Sequence, residues 1–178
     1  EIVGYFDRNK EIDKSYRGIP YLGDIKDFKK WIKIRTDLNE IFFINSLGPG
    51  LGKDRVTLNE ELILYGIKPI TAIHRTAYVA RNAVIGDGSQ IYANSAVCVD
   101  CCIGKACIIN TCSSVDHESI LEDGVSIGPG ARLAGLVHVQ KYADIYTGAI
   151  ILPRIKIGEG AIIGAGAANH IIADGTGQ

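Results

Sequence analysis

An unbroken six-residue repeat runs through residues 73–168 and constrains the fold more than any other feature of the chain. A period of six matches neither the 3.6 residues of an α-helix nor the two of a simple strand, so each hexad must be a short strand followed by a corner. The first position is aliphatic in all sixteen hexads, and the fifth is Ala, Ser or Cys in thirteen of them. The aliphatic positions are Ile73, Val79, Ile85, Ile91, Val97, Ile103, Ile109, Val115, Leu121, Ile127, Leu133, Val139, Ile145, Ile151, Ile157 and Ile163.

Three hexads close one triangular coil, and the same position in the next coil lies eighteen residues on. Hydrogen-bonded strands are spaced about 4.8 Å apart, so the aliphatic side chains stack in columns inside the prism. A single coil buries little apolar surface, and its stability comes from stacked neighbours. The repeat therefore predicts a parallel β-helix of about five coils.

Residues 1–72 carry a different pattern, in which predicted strands and helices alternate. The predicted elements are a short buried strand that begins at Ile2 and ends at Asp7, an extended segment from Ile19 to Leu22, a helix capped by Asp24 and reaching Ile34, a strand from Ile41 to Ile44, and a helix from Arg55 to Tyr65. This order suggests part of a doubly wound, Rossmann-like sheet, with the 41–44 strand buried on both faces. We expect three segments: a partial α/β module (1–72), the β-helix (73–168) and a C-terminal tail (169–178).

The segment from Gly48 to Lys53 superficially resembles a phosphate-binding loop. It departs from that motif because Leu47 stands where a glycine is needed and Asp54 where Ser or Thr should hold magnesium. A flexible loop at the end of a strand is the better interpretation.

The amino-acid composition limits which binding partners and which cellular compartment we expect. The formal net charge is -1, which gives no electrostatic argument for nucleic acid or a membrane surface. No apolar run is long enough for a transmembrane helix. Five cysteines lie between Cys98 and Cys112, and an odd, tightly clustered set favours a reducing compartment. We therefore expect a cytoplasmic protein.

Zinc is the alternative use of the cysteine cluster, because Cys98-x-x-Cys101 has ligand spacing. In the hexad register the cysteines do not converge, since Cys101 and Cys107 take the small inward position and the others take three different positions. His74, His138 and His170 supply no partner set for His117 either. We therefore interpret the cysteines as small packing side chains, and we expect no metal. Arg132 and Lys156 are interpreted as solvated charges.

His117 is the candidate for chemistry. It lies at the third hexad position, where side chains project from a corner, between Asp116 and Glu118. A carboxylate can hold one imidazole nitrogen protonated, which leaves the other free to accept a proton. Gly135 is stacked one coil away, and its bare backbone N–H could serve as an oxyanion donor. A base beside such a donor suits acyl transfer from a thioester, although the spacing also leaves open a solvated surface histidine.

Several motifs resemble those of the sialic acid O-acetyltransferase-type sugar acyltransferases, a family that includes the UDP-4-amino-sugar N-acetyltransferases of bacillosamine synthesis. The resemblance covers nearly the whole chain. The matching segments are Asn110-Thr111-Cys112-Ser113-Ser114-Val115-Asp116-His117-Glu118, Gly128-Pro129-Gly130-Ala131, Ala134-Gly135, Gly4-Tyr5-Phe6-Asp7 and Gly18-Ile19-Pro20-Tyr21-Leu22-Gly23.

This resemblance implies a left-handed β-helix and an acetyl-CoA-dependent acetyltransferase that acts on an amino group or hydroxyl of a nucleotide-activated sugar. It implies a homotrimer with CoA between neighbouring prisms. His117 would be the general base, Glu118 its orienting partner, and the Gly135 backbone the ligand of the thioester oxygen. The implied CoA contacts are Ser126, Gly135, Thr147 and Ala165, and the implied acceptor contacts are Asp7, Arg8, Ser46 and Asn110.

Departures from the family pattern leave a second hypothesis open. Ser126 stands where the bacillosamine enzyme has a histidine that contacts the CoA thioester, and Ser46 replaces a family glycine. The family's first strand, with its Gly-x-Gly-Gly-His-type turn, has no counterpart before Ile2, so we expect the sequence to start partway through the module. The alternative function is a catalytically silent scaffold or ligand-binding protein.

Overall fold

The computed structural model describes residues 2–9, 15–16 and 18–169. From residue 72 onwards it is a triangular prism of two-residue strands joined by corners, as the hexads predict. These strands are β6 (Ala72–Ile73), β7 (Tyr78–Val79), β8 (Val84–Ile85), β9 (Gln90–Ile91), β10 (Ala96–Val97), β11 (Cys102–Ile103), β12 (Ile108–Ile109), β13 (Ser114–Val115), β14 (Ile120–Leu121), β15 (Ser126–Ile127), β16 (Arg132–Leu133), β17 (His138–Val139), β18 (Asp144–Ile145), β19 (Ile150–Ile151), β20 (Lys156–Ile157), β21 (Ile162–Ile163) and β22 (Ala168–Asn169).

Every third strand stacks in parallel to form one face of the prism. Face 1 contains β6, β9, β12, β15, β18 and β21; face 2 contains β7, β10, β13, β16, β19 and β22; face 3 contains β8, β11, β14, β17 and β20. Val97 pairs with Val115 and Val115 with Leu133, so the register is the predicted eighteen residues. The parallel β-helix prediction is confirmed.

The side chains at the first and fifth positions of the hexads fill the interior of the prism. Ile109, Val115, Ile127 and Ile145 are among the fully buried aliphatic residues, and the small fifth positions are buried between them except at the ends of the prism, where Ala77, Ala83 and Ala167 are partly buried. The fourth hexad position has positive φ at every corner from Gly88 to Gly166. Eight of these corner residues are not glycine, so the stacked ladder supports a left-handed backbone that local propensity disfavours.

The N-terminal module consists of short strands and two α-helices. Its elements are β1 (Tyr5–Phe6), β2 (Ser15–Tyr16), β3 (Ile19–Gly23), α1 (Ile25–Lys33), a 3₁₀ turn (Leu38–Glu40), β4 (Phe42–Phe43), α2 (Gly52–Ile63) and β5 (Lys68–Pro69). The predicted cap of α1 is confirmed, because the Asp24 carboxylate accepts the N–H groups of Lys26 and Asp27. No helix in the described part of the chain has the length and apolar character to span a bilayer.

The strands of this module form two separate sheets among the described residues. One has the order β1-β3-β2, with β1 and β3 parallel, and the other pairs β4 with β5 in parallel. A single doubly wound sheet is therefore not confirmed. The prediction that the 41–44 strand is buried on both faces is wrong, since Phe42 is 53% exposed and Ile44 is 55% exposed.

Helix α2 and the loop before it pack against face 1 of the prism. Gly50 N–H donates to the Asp144 carboxylate at 2.9 Å, and a Cβ on Gly52 would collide with the carbonyl oxygen of Gly124. The Gly48–Lys53 segment is thus anchored to the prism through Gly50 and Gly52, and its last two residues begin α2. The flexibility of this loop stays a prediction. In the predicted tail, Asn169 extends β22, and residues 170–178 lie outside the described chain.

Candidate active site

His117 lies at the corner between faces 2 and 3, immediately after β13. Its Nδ1 atom is 3.1 Å from Oε1 of Glu118, while the Asp116 carboxylate accepts the backbone N–H of His117 at 2.8 Å. Of the two flanking carboxylates, only that of Glu118 therefore contacts the ring. With Nδ1 protonated towards Glu118, Nε2 carries the free lone pair.

Gly135 is stacked against His117 as the eighteen-residue register predicts. The N–H of Leu136 donates to the His117 carbonyl at 2.9 Å, and a Cβ on Gly135 would collide with the imidazole Nε2. The imidazole therefore occupies the space that any side chain at position 135 would need. Among the described residues, no protein acceptor is found for the Gly135 N–H, which leaves it available to a ligand.

Glu118 adopts φ 56°, in the left-handed region that non-glycine residues rarely enter. Equivalent corner residues such as Cys112 and Leu136 have φ 59° and 62°. This backbone conformation is therefore a general feature of the corners. At position 118 it places the Glu118 carboxylate beside the imidazole of the preceding residue.

Three other predicted site residues lie at a different corner, between faces 1 and 2. Thr147 and Ala165 are exposed and stacked there, and Gly166 N–H donates to the Thr147 carbonyl at 2.9 Å. Asn110 precedes β13 at the same corner, and its side-chain oxygen accepts the N–H of Thr111 at 2.8 Å. Strand β13 and the rest of face 2 separate this group from His117, so one chain does not bring the two groups together.

The predicted acceptor contacts of the module lie after two strands that share one core. Asp7 follows β1, where its carboxylate accepts the N–H of Asn9 at 2.7 Å, and Arg8 beside it is exposed. Ser46 is exposed and follows β4. The core beneath them joins β1, β4, α1 and the segment after α2, through Phe6, Phe43, Phe28, Ile32 and Ile67.

Comparisons with known proteins agree with this architecture. No family model matches the chain. The GDP-perosamine N-acetyltransferase of Escherichia coli O157:H7 is 34% identical over 114 residues, which are 64% of this chain and 51% of that enzyme. PerB from Caulobacter crescentus, solved with CoA and GDP-perosamine, is 30% identical with a TM-score of 0.77, and the match covers 87% of this chain and 72% of that one. The chain belongs to the hexapeptide-repeat sugar acetyltransferases.

A second solved member of the family has a similar fold over almost the whole chain. The acetyltransferase domain of PglB from Neisseria gonorrhoeae, in complex with acetyl coenzyme A, is 29% identical with a TM-score of 0.84 and covers 97% of this chain and 80% of that one. The chain spans about half the length of the curated E. coli relative.

Ser126, one of the predicted CoA contacts, is buried beneath α2. It is 1% exposed, and its hydroxyl oxygen accepts a hydrogen bond from Nη2 of Arg55 at 2.9 Å. The covering atoms come from α2, which closes over face 1 at this level. The Ser126 side chain is thus part of the docking interface between α2 and the prism, and its contact with CoA stays a prediction.

Arg55 is the residue at this interface that sequence reasoning missed. Besides Ser126 it donates to the carbonyl oxygens of Ala106 at 3.0 Å, Gly48 at 2.6 Å and Gly124 at 2.8 Å. Burial lowers the pKa of its guanidinium, and neighbouring acidic groups such as Cys107 and Asp144 oppose that shift. Arginine keeps its charge through such shifts, so four acceptors are held by one buried cation.

The cysteines do not form a metal site in the described chain, where no group of three or more His, Cys, Asp or Glu side chains could hold an ion. Cys101 and Cys107 are buried at the small inward position, as the register predicts. Burial raises the pKa of the Cys107 thiol to about 12, and burial followed by the Asp116 charge raises that of Cys98. Thiols of this kind are poor nucleophiles at neutral pH.

A groove of about 410 Å³ runs across face 2 beside the His117 corner. Asp116 and Ala134 line its end at that corner, and the outward side chains of Ser114, Arg132 and Ile150 line its floor. Arg132, which the sequence predicts to be a solvated charge, lines this groove. Its place in the groove follows from the register, because it stands eighteen residues after Ser114 and three before Gly135.

Proposed function

We propose that this protein transfers the acetyl group of acetyl-CoA to an amino group, or a hydroxyl, of a nucleotide-activated sugar. The observation that carries the proposal is the stacking of the His117 imidazole on the bare backbone of Gly135, with Glu118 3.1 Å from the opposite ring nitrogen. The E. coli relative is a GDP-perosamine N-acetyltransferase, and the matched PerB structure holds CoA and GDP-perosamine, which supports the substrate class.

His117 would act as general base in a direct attack on the thioester. Its Nε2 accepts the proton of the acceptor amine as the amine nitrogen bonds to the acetyl carbonyl carbon. The Gly135 N–H donates to the oxygen that becomes negative in the tetrahedral intermediate. When the carbon–sulfur bond breaks, the CoA thiolate leaves and takes up the proton. Glu118 keeps Nδ1 protonated throughout, so that Nε2 always faces the acceptor.

The homotrimer implied by the resemblance gives a way to complete the site. His117 and Gly135 lie at the corner between faces 2 and 3, whereas Asn110, Thr147 and Ala165 lie at the corner between faces 1 and 2. A cyclic assembly repeats one heterologous contact, so it can set the first corner of one subunit against the second corner of its neighbour. We propose that CoA binds between these two corners.

The proposal also includes the handedness of the coil, the role of the N-terminal module and the cellular compartment. The coil would be left-handed, which the TM-score of 0.84 to the PglB domain supports. Residues 1–72 would bind the nucleotide of the acceptor through Asp7, Arg8 and Ser46, while residues 73–168 supply the chemistry. The cytoplasm, where acetyl-CoA and sugar nucleotides are available, would be the site of action.

The test is transfer activity with a panel of acceptors. The protein is incubated with acetyl-CoA and UDP-, dTDP- or GDP-linked amino sugars or their hydroxyl analogues, and free CoA thiol is followed. We expect turnover with at least one acceptor and a loss of about 10²- to 10⁴-fold in kcat for His117→Ala. His74→Ala, which removes an exposed corner histidine of face 1, is the matched control and should keep full activity.

Two results would contradict the proposal. Undiminished turnover in His117→Ala would remove the base assignment. Absence of acetyl-CoA binding at millimolar concentration would favour the silent scaffold, for which the burial of Ser126 is the structural argument.

A further inference from the structure

The groove on face 2 contains a cation that the proposed mechanism does not use. Arg132 is exposed on β16, and among the described residues its guanidinium has no hydrogen-bond or ion-pair partner. The one carboxylate in the groove lining, that of Asp116, accepts the backbone N–H of His117. Arg132 is therefore the one cation among the residues that line this groove, and the Asp116 carboxylate lies at the end of the groove nearest His117.

A second donor stands next to Arg132 in the same column of face 2. Ser114 pairs with Arg132 in the parallel register, so their backbones are about 4.8 Å apart. The Ser114 hydroxyl also has no partner among the described residues. The next residue in the column is Ile150, which is apolar, so the polar donors are confined to one end of the groove floor.

We propose that Arg132, assisted by Ser114, binds a phosphate group of a substrate of the proposed acetyl transfer. A guanidinium presents paired N–H donors that match phosphate oxygens, and such charge-assisted bonds are stronger than neutral ones. Arg132 precedes Gly135 by three residues, about 10 Å of extended chain, so an anion bound there lies beside the reacting centre. This inference rests on the proposed function, because both of its substrates carry phosphates.

Two substrates could supply the phosphate, and kinetics can distinguish them. Arg132→Ala is compared with the wild type for the KM of acetyl-CoA, of S-acetyl-pantetheine, which lacks the phosphates of CoA, and of the nucleotide sugar. A rise in KM of about tenfold or more is expected for one phosphate-bearing substrate, with kcat little changed. A rise for acetyl-CoA but not for S-acetyl-pantetheine assigns the phosphate to the donor; a rise for the nucleotide sugar assigns it to the acceptor.

Matched variants separate phosphate binding from a structural role. Lys156→Ala removes an exposed cation at the equivalent outward position of face 3 and should leave every KM unchanged. Arg132→Lys keeps the charge without the paired donors and should give an intermediate KM. The mass of each variant in solution is measured by light scattering, because face 2 could instead contact a second copy of the chain.

The outcomes for the groove and for the proposed function are distinct. If the wild type transfers acetyl groups and Arg132→Ala leaves both KM values unchanged, the phosphate site is wrong. It is also wrong if Arg132→Ala only breaks the oligomer apart. If the wild type transfers no acetyl group to any acceptor, the proposed function fails, and binding of CoA or nucleoside diphosphates to wild type and Arg132→Ala, measured by calorimetry, still tests the groove.

Discussion

At the corner between faces 2 and 3, the backbone of Gly135 leaves the space that the His117 imidazole fills. An alanine at position 135 keeps the N–H donor but places its Cβ against Nε2. The ring must then move away from both the donor and the acceptor. We predict that Gly135→Ala lowers kcat by about 10²-fold or more, the contribution expected of a general base, as measured by release of free CoA.

The control for this prediction is a glycine whose added Cβ meets open space. No atom lies within 4 Å of the place that a methyl group on Gly48 would take, and Gly48 has no positive φ. Gly48→Ala should therefore retain wild-type kcat. Equal activity in Gly135→Ala and Gly48→Ala would mean that the His117–Gly135 contact has no part in catalysis.

Residue positions on the prism could be predicted because stacked residues are always eighteen positions apart in the sequence. Every side chain lies above the one eighteen residues earlier, so the contact of His117 with Gly135 follows from counting hexads. The contacts of Arg55 follow no such rule, since they join α2 to carbonyls 51 and 69 residues away in the prism. A buried arginine also looks like a surface residue in the sequence, because arginine is rarely buried.

Among the elements, α2 determines how the N-terminal module sits on the prism. Its buried Arg55 donates to three carbonyl oxygens and the Ser126 hydroxyl, and the bonds to Ala106, Gly124 and Ser126 are buried. We predict that Arg55→Met, which keeps the length of the side chain, destabilises the protein by about 3 kcal/mol or more, because it leaves buried acceptors unpaired. Chemical denaturation measures this loss.

Arg75→Met is the matched comparison, since Arg75 is exposed in the part of the chain that the structure describes. It should change the free energy of unfolding by less than about 0.5 kcal/mol. Hydrogen exchange adds a readout of position: in Arg55→Met, the amides of α2 should lose protection while those of the prism core keep theirs. Wild-type protection of α2 in Arg55→Met would contradict the docking role.

The two helices show why one boundary could be predicted and the other could not. Asp24 caps α1 and forms a capping box with Asp27, which marks the helix start in the sequence. Helix α2 begins at Gly52, and its N-cap residue Leu51 makes no side-chain cap hydrogen bond. The start predicted at Arg55 was therefore three residues late. Packing of Gly52 against Gly124 sets the true start, and that tertiary contact has no local signal.

For the whole molecule, the proposed site is divided between two corners of the prism. His117 and Gly135 lie on one side of face 2, and Thr147 and Ala165 lie on the other. The hexads predict each corner separately, but the sequence contains no rule that sets one prism against another. Only the family resemblance predicts how the subunits are arranged. The separation of the two corners within one chain is the structural observation that supports this arrangement.

Mixing two inactive variants tests whether neighbouring subunits share the site. We predict that His117→Ala and Ala165→Trp, which blocks the exposed corner between faces 1 and 2, are each nearly inactive alone. When they are unfolded and refolded together in equal amounts, a site is intact only where a subunit with His117 meets a neighbour with Ala165. Random assembly of such a cyclic trimer gives about a quarter of the wild-type activity. Light scattering must show that both variants and the mixture keep the same mass. No recovery in a mixture of correct mass would place the whole site within one chain.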